Sequence, residues 1–434
     1  MSTISLSRPQ VVRRPARLLA GWALLALAVL LGAAGAAAAF FGAAYLTSSV
    51  GGLCLAALLA CLALSGGLAA AAAGILAPLH RIRLALGVAI GTTLLVALLA
   101  ALTIFRPLAA AQATAPLPAD AGYWNLPTGS RIAYRKVPAV GPAKTTPIIR
   151  LHGGPGAYAV AQHRFDTLYQ QLAQAGYDVY LYDQVGGGLS ARLPDPRDYT
   201  VSRHIADLEA LRRQIGAEQV IVLADSWGAT LAANYMAVYP SRVAKAIFTS
   251  PAPISYAEWT DMGSITRRLP AAQQARIASL FSRPRYTAAM TLVQINLRAA
   301  HAFAPDAEMD GFFDALTAPM MTGMVCDPAH FPDVDAVQGF GFWANLMTGY
   351  DASRRDDNRR PLLATNRAPV LVLTGACNYI RPAVAQQYAA TFPSATMIDF
   401  PDAGHVIYLD QPDRYVAVVR AFLADQPLPS KIWR

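Results

Sequence analysis

Val220-Ile-Val-Leu-Ala-Asp-Ser-Trp-Gly-Ala-Thr230 is the stretch that decides the fold. A short apolar run rich in β-branched residues leads straight into a small-residue helical pattern, and Ser226 stands at the corner. Strand, sharp turn and helix are the context in which a serine is lifted above a sheet edge as a nucleophile. Small residues must flank it, because the helix folds back closely on the strand. Ala224 and Gly228 hold those places, so the first Gly of the usual G-x-S-x-G pattern is Ala. A serine after a strand also suits a helix N-cap, but the full strand–turn–helix context favours the nucleophile.

Working outward, short β-like runs alternate with helical patterns, which predicts a mostly parallel sheet with helices on both faces. Strands are expected at 131–137, 147–151, 178–182, 219–223, 244–249, 369–374 and 396–400. Helices are expected at 202–215, 227–239, 383–391 and 412–424. The alternation breaks between Ser250 and Pro361, where several amphipathic helical patterns replace strands. Such a length is too great for a loop, and it reads as a helical cap inserted into the sheet domain. The expected organisation is a membrane region over 1–106, a linker over 107–119, a core over 120–251 and 362–434, and a cap over 252–361.

Two further segments carry chemistry. His152-Gly-Gly-Pro-Gly156 follows the strand Ile148-Ile-Arg-Leu151. A glycine turn at that strand end aims backbone N–H groups at the site, so Gly153, Gly154 and the N–H of Trp227 are the expected oxyanion donors. Phe400-Pro-Asp-Ala-Gly-His405 lies between the last strand and the last helix, and His405 is the one histidine of seven that follows the last strand. It is the expected general base, since the chain order in this arrangement is Ser, acid, His.

Together these segments resemble the proline iminopeptidase family of α/β-hydrolases, over roughly residues 120–425. His152-Gly-Gly-Pro-Gly156 is similar to that family's oxyanion motif, Tyr182-Asp-Gln-Val-Gly-Gly-Gly-Leu-Ser190 to its Asp-Gln-x-Gly-x-Gly-x-Ser segment, and Asp225-Ser-Trp-Gly228 to its elbow. The resemblance implies an α/β-hydrolase fold with an inserted cap and an acid on the turn after the strand that follows the cap. That turn reads Gly375-Ala-Cys-Asn378 here. Asn378 is at the right distance from His405 to set its tautomer, but an amide cannot stabilise an imidazolium by charge. Asp402 is the nearest alternative acid. The resemblance also implies a Trp-Glu pair in the cap to hold a free amino terminus. The corresponding stretch, Phe342-Trp-Ala-Asn345, lacks the Glu, leaving Glu258, Asp261, Glu308 and Asp310 as cap acids to consider.

The first 118 residues are of a different kind. They contain no Asp or Glu, although the chain carries 27 in all. Three apolar runs, roughly 18–41, 51–76 and 84–105, are each long enough to cross a bilayer as helix. Three long runs exclude a signal peptide for the whole region. Arg8, Arg13, Arg14 and Arg17 precede the first run, and His80, Arg81 and Arg83 lie between the second and third. By the positive-inside tendency this puts the N-terminus in the cytoplasm and the domain after Arg106 on the far side of an inner or plasma membrane. Most of the formal charge of +9 resides in this region. The remainder has a mixed-sign surface, which argues against a nucleic-acid partner.

Cys326 and Cys377 lie in the soluble part. They are either a disulfide, as an extracytoplasmic location permits, or buried free thiols. No spacing suggests a metal site, and no organic cofactor is implied. The expected activity is acyl transfer to water from an amide or ester, foremost from a short peptide with N-terminal Pro. An esterase of small acyl groups, and a hydrolase-fold binding protein weakened by Asn378, are the alternatives. The substrate-binding residues are not identifiable from the sequence.

Overall fold

The computed structural model describes residues 13–109, 116–331, 339–354 and 358–429. The middle of the expected linker, residues 110–115, lies outside them, as do Arg8 and two stretches of the expected cap, 332–338 and 355–357. The described chain falls into two compact units.

One unit joins residues 1–108 to Phe281–Pro305, a stretch within the expected cap. Its N-terminal part is three helices, α1 (Arg13–Ala43), α2 (Val50–Leu76) and α3 (Arg81–Leu102). All three are long and apolar enough to cross a membrane. Small residues let them approach. A Cβ added at Gly32 of α1 would lie 3.0 Å from the Ser65 Cβ of α2 and 3.3 Å from the Thr92 Cγ2 of α3. Close backbone packing of this kind drives association where lipid removes the hydrophobic incentive. Leu19, Trp22, Leu30, Leu59 and Leu94 face outward.

Between α7 (Ala271–Phe281) and α10 (Asp306–Thr317) run α8 (Pro284–Ile295) and α9 (Leu297–Phe303), which complete this unit. They serve the helix ends. Asn296 Nδ2 donates to the Ala44 carbonyl at 2.9 Å, and Arg285 Nη1 to the Ile104 carbonyl at 3.0 Å. Arg283 Nη1 donates to the Leu108 carbonyl at 2.6 Å. Carbonyls at and just beyond the end of a helix lack internal donors, so the Asn296 amide and the Arg285 guanidinium suit those after α1 and α3. Phe40, Phe105 and Phe303 meet edge-on, with centroids 5.5–6.1 Å apart.

The other unit holds one eight-stranded sheet in the order β1-β2-β4-β3-β5-β6-β7-β8. The strands are β1 (Ala121–Asn125), β2 (Arg131–Val137), β3 (Ile148–Leu151), β4 (Val179–Tyr182), β5 (Val220–Asp225), β6 (Val243–Thr249), β7 (Val370–Gly375) and β8 (Ala395–Phe400). Only the two pairings of β2 are antiparallel. The seven expected strands are all present within a residue or two. Unanticipated β1, Ala-Gly-Tyr-Trp-Asn, has no clean alternation, and its place comes from pairing with β2.

Both faces are covered, so the central strands are buried throughout. On one face Leu168 and Leu172 of α4 (Asp166–Gln174) join Val418 and Val419 of α15 (Pro412–Leu423) over Ile148, Val179, Ile221, Ile247 and Leu371. The strand period of two sends the next residue the other way. Phe248 packs at 4.9 Å against Tyr388 of α13 (Pro382–Thr391). Two more helices, α5 (Val201–Ile215) and α6 (Trp227–Val238), are tied by the Tyr235 hydroxyl, which donates to Glu209 at 2.8 Å. The insertion between β6 and β7 also carries α11 (Phe342–Arg354) and α12 (Arg360–Leu363), and α14 (Ile407–Asp410) follows β8. The strand ends of β3, β5, β7 and β8 open on one side of the sheet, the usual place for a site in such folds.

Candidate active site

Ser226 occupies the turn from β5 to α6 with φ 52° and ψ −123°, a left-handed conformation that a non-glycine residue adopts only under constraint. The constraint is visible. Ser226 N–H donates to the Thr249 carbonyl at 3.1 Å, and its carbonyl accepts from Ala229 and Ala252 N–H groups at 3.0 and 3.1 Å. A Cβ at Gly228 would meet the Leu151 carbonyl oxygen at 2.1 Å, so any larger residue at this flanking position forces the backbone to shift. Ala224, at the other flanking position, is buried without such conflict.

The glycine turn after β3 lies against this corner. A Cβ at Gly153 would fall 3.0 Å from Ser226 Cβ and 3.5 Å from its Oγ. Gly154, at φ 116°, lines the same cavity. Trp227 opens α6, so its N–H belongs to the first turn, where a helix has no acceptor of its own.

Gln184 binds the three sequence motifs into one network. Its backbone N–H donates to His152 Nε2 at 2.9 Å, its Nε2 donates to the His152 carbonyl at 2.9 Å, and its Oε1 accepts from Trp227 Nε1 at 3.0 Å. Burial pushes His152 down to about 3, so the ring is neutral, with Nε2 as acceptor and Nδ1–H donating to the Gly153 carbonyl at 2.8 Å. Neighbouring Asp183 accepts from the N–H groups of Ala159, Val160 and Leu189 at 2.6–2.9 Å. The Asp-Gln pair was legible as a motif, but its scaffolding role was not.

The histidine corner is assembled from three separate segments. His405 is buried, and its Nδ1 lies 2.9 Å from Asn378 Oδ1. The Ile380 N–H donates to that same atom at 3.1 Å. Two donors converging on one atom require it to be the amide oxygen, so Nδ1 carries the proton and Nε2 is left bare. Burial lowers His405 to about 3. Asp402 is exposed; the partner on His405 Nδ1 is Asn378.

The loops carrying this pair are fastened in turn. Cys377, immediately before Asn378, forms a disulfide with Cys326. Asp410 accepts from the N–H groups of Cys326 at 2.9 Å and Gly404 at 2.7 Å, and Val406 N–H donates to the Met324 carbonyl at 2.9 Å. Tyr379, a residue the sequence reading passed over, lays its ring 4.5 Å from that of His405.

Ser226, His405, Gly153 and Gly154 line one cavity, walled by Tyr158, Phe165, Met321, Met324, Phe331 and Phe340. Among the described residues lining it, the one carboxylate is Asp225, which is paired with Arg150. Arg164 also lines it, stacked 4.1 Å over Phe331. The cap acids lie elsewhere. Glu258 pairs with Arg360 at 2.8 Å, Asp261 with Arg381 and Arg267, and Asp310 with Arg192 at 2.8 Å. Glu308 does not line the cavity either. Asn345, at the end of the Phe-Trp-Ala-Asn stretch, donates to the Pro155 carbonyl at 2.7 Å. No cluster of metal-ligating side chains occurs among the described residues.

The profile of the alpha/beta hydrolase fold matches residues 146–412. The chain belongs to the α/β-hydrolase family. Within it, the chain is similar to the proline iminopeptidase of Heyndrickxia coagulans, with 26% identity over 304 residues, 68% of this chain and 96% of that protein. It is also similar to that of Levilactobacillus brevis, with 28% identity over 293 residues, 64% of this chain and 88% of the other. Among solved structures, the proline iminopeptidase of Mycobacterium smegmatis matches with 25% identity and a TM-score of 0.47, over 70% of this chain and 98% of that one. The chain is an α/β-hydrolase, similar to proline iminopeptidases, with three helices long and apolar enough to span a membrane.

Proposed function

We propose that this α/β-hydrolase is a serine hydrolase that cleaves an amide or ester bond through an acyl-enzyme. The observation that carries this reading is the pairing of His405 Nδ1 with Asn378 Oδ1, with Ser226 on a constrained elbow in the same cavity. His405 Nε2 takes the proton from Ser226 as Oγ attacks the substrate carbonyl. The N–H groups of Trp227 and of Gly153 or Gly154 hold the oxyanion, and His405 returns the proton to the leaving group. Water then releases the acyl group by the same steps. Asn378 fixes the tautomer and contributes no charge.

The leading substrate is a short peptide with N-terminal Pro. The similarity to proline iminopeptidases and the aromatic and methionine walls, which suit a pyrrolidine ring, support it. A second reading is an esterase of small apolar acyl groups. It is favoured by one observation: among the described lining residues, no carboxylate is left over from Arg150 to meet a free amino terminus. The basic residues around the three spans support an extracytoplasmic catalytic domain.

Labelling of the detergent-solubilised chain with a fluorophosphonate probe tests the chemistry. Modification of Ser226 is expected, and a chain that stays unlabelled is a binding protein instead. Proline arylamides set against short-chain aryl esters then separate peptidase from esterase. A C-terminal alkaline phosphatase fusion is expected to be active; an inactive one, with an active cytoplasmic reporter at the same point, reverses the topology.

A further inference from the structure

The charges around the cavity are uneven. Among the described residues lining it, the cations are Arg150 and Arg164, and the carboxylate is Asp225. His152 and His405 add no charge, since burial lowers both to about 3. Arg150 is fully engaged. It pairs with Asp225, its Nη1 donates to the Leu151 carbonyl at 2.9 Å, and its Nε donates to the Tyr169 hydroxyl at 3.3 Å. Arg164 is different. Its guanidinium carbon sits 4.1 Å over the centroid of the Phe331 ring, another wall of the cavity. A ring face attracts the cation but accepts none of the five N–H donors of its planar fork. The acids close to it in the chain or beside Phe331 are turned elsewhere. Asp166 pairs with Arg135 and His163, and Asp410 meets His330 at 2.7 Å. Among the described residues, no carboxylate pairs with Arg164.

We propose that Arg164 anchors a carboxylate of the substrate, so that the hydrolase acts on amides or esters that also bear a free carboxylate. The proposal rests on the serine-hydrolase reading above and narrows its substrate. The guanidinium is half-buried in a cavity walled by aromatic and methionine side chains. Weak screening there strengthens its attraction for an anion, and the same field disfavours an ammonium group. A carboxylate matches the planar fork, taking two parallel N–H donors along the edge that the ring leaves open. Both substrate readings have a form that supplies it. In a dipeptide with N-terminal Pro the carboxylate is the free C-terminus, on the leaving group. In a half-ester of a dicarboxylic acid it lies at the far end of the acyl chain. In either case the anion and the scissile carbonyl belong to one small molecule, held by Arg164 at one point and met by Ser226 at the other.

The test uses the full chain in detergent and two substrate pairs. One is para-nitrophenyl hydrogen adipate against para-nitrophenyl methyl adipate. The other is the dipeptide Pro-Leu against its C-terminal amide. The wild-type chain is expected to favour the carboxylated member of one pair by about 10- to 100-fold in kcat/KM, the scale of hydrogen bonds to a charged group. The pair that shows the preference tells which side of the scissile bond meets Arg164. Arg164→Gln should bring that preference to within about threefold of unity, chiefly through KM. Arg164→Lys should keep part of it, since the charge remains without the fork. No preference in either pair overturns the proposal, and so does a preference that survives Arg164→Gln. If that variant folds poorly, protection of the wild-type chain decides instead. Monomethyl adipate should slow fluorophosphonate labelling of Ser226 more than dimethyl adipate does, and equal protection overturns the proposal. Failure of the hydrolase reading looks different, because the probe then leaves the wild-type chain unlabelled in every condition.

Discussion

The elbow corner and the histidine corner of the cavity are built on opposite principles. The elbow is local: β5, Ser226 and α6 are contiguous in the chain, and the backbone geometry at φ 52° is imposed within a few residues. The histidine corner is composite: His405 and Asn378 are 27 residues apart, and the Asn378 loop is stapled to the cap segment by Cys326–Cys377 across 51 residues. The first depends on sterics that cannot relax without refolding the strand–turn–helix unit. The second depends on keeping separate loops in register, so it is the more open to change by a single substitution or by reduction.

The largest expected effect sharpens the local side. Ser226→Ala should lower turnover by about 10⁴ to 10⁶, the scale of losing a serine nucleophile, while thermal stability holds or rises as the buried hydroxyl is removed. Residual activity above that level, read with the same substrate, would place the nucleophile elsewhere.

Asn378→Asp probes the composite side. A carboxylate in that place stabilises the imidazolium, and the serine-protease triad sets the scale at up to about 10⁴ in turnover. The same charge raises His405 from its depressed value of about 3. The wild-type kcat/KM is therefore expected to run flat from pH 8 down to about pH 5, and the variant should acquire an acid limb that climbs toward neutrality. Equal rates and equal profiles would mean that Asn378 does not govern His405.

The disulfide comes next. Closing a loop of 51 residues is worth about 4 kcal/mol by the chain-entropy rule. The double variant Cys326→Ser, Cys377→Ser should lose about that much in denaturant unfolding of the catalytic unit, together with part of its kcat. Full activity in reductant would show that the composite corner stands without its staple.

Acid should weaken both corners, for a reason that gives the sign. His152, His204 and His405 are pushed by burial to about 3, 4 and 3. Between those values and the ordinary histidine range the unfolded chain binds more protons than the folded one, so stability rises with pH there. The contribution is complete above about pH 6.5 and is lost as pH falls toward 4. Thermal midpoints across that window are expected to drop, and His405→Gln should make the slope shallower. A pH-independent midpoint would mean that these rings are protonated when folded.

The smallest effects belong to the elbow's two flanks. Gly228→Ala drives a methyl into the Leu151 carbonyl and should cost about 1–3 kcal/mol. Ala224→Gly, which restores the common pattern, should cost only about 1 kcal/mol through backbone freedom, with kcat unchanged. Chemical denaturation of the pair measures the asymmetry, and equal costs would remove it.

Much of this was readable before the fold was seen, because it is carried by short-range chemistry. Seven strands, the elbow, the glycine turn and three spanning-length helices each declare themselves through periodicity or composition within a dozen or so residues. What escaped reading had no local signal. Tyr379 is one more aromatic after a turn until the loop after β7 lays its ring against that of His405. Gln184 is a motif residue whose two side-chain bonds to His152 and Trp227 exist only once three strand ends converge. Glu258, Asp261 and Asp310 looked available as amine-binding acids, and only the packed cap shows their arginine partners.

The sequence by itself determined the class of the catalytic domain, the corner on which Ser226 stands and the apolar helices ahead of it, since propensity and steric exclusion act on neighbours in the chain. Tertiary structure decided that Asn378 rather than Asp402 meets His405, that Cys326 and Cys377 pair, that the Tyr379 ring lies beside that of His405, and that Phe281–Pro305 belong with the N-terminal helices. Those contacts join segments far apart in the chain. Their formation sets loop-closure entropy against packing that exists only in the assembled fold.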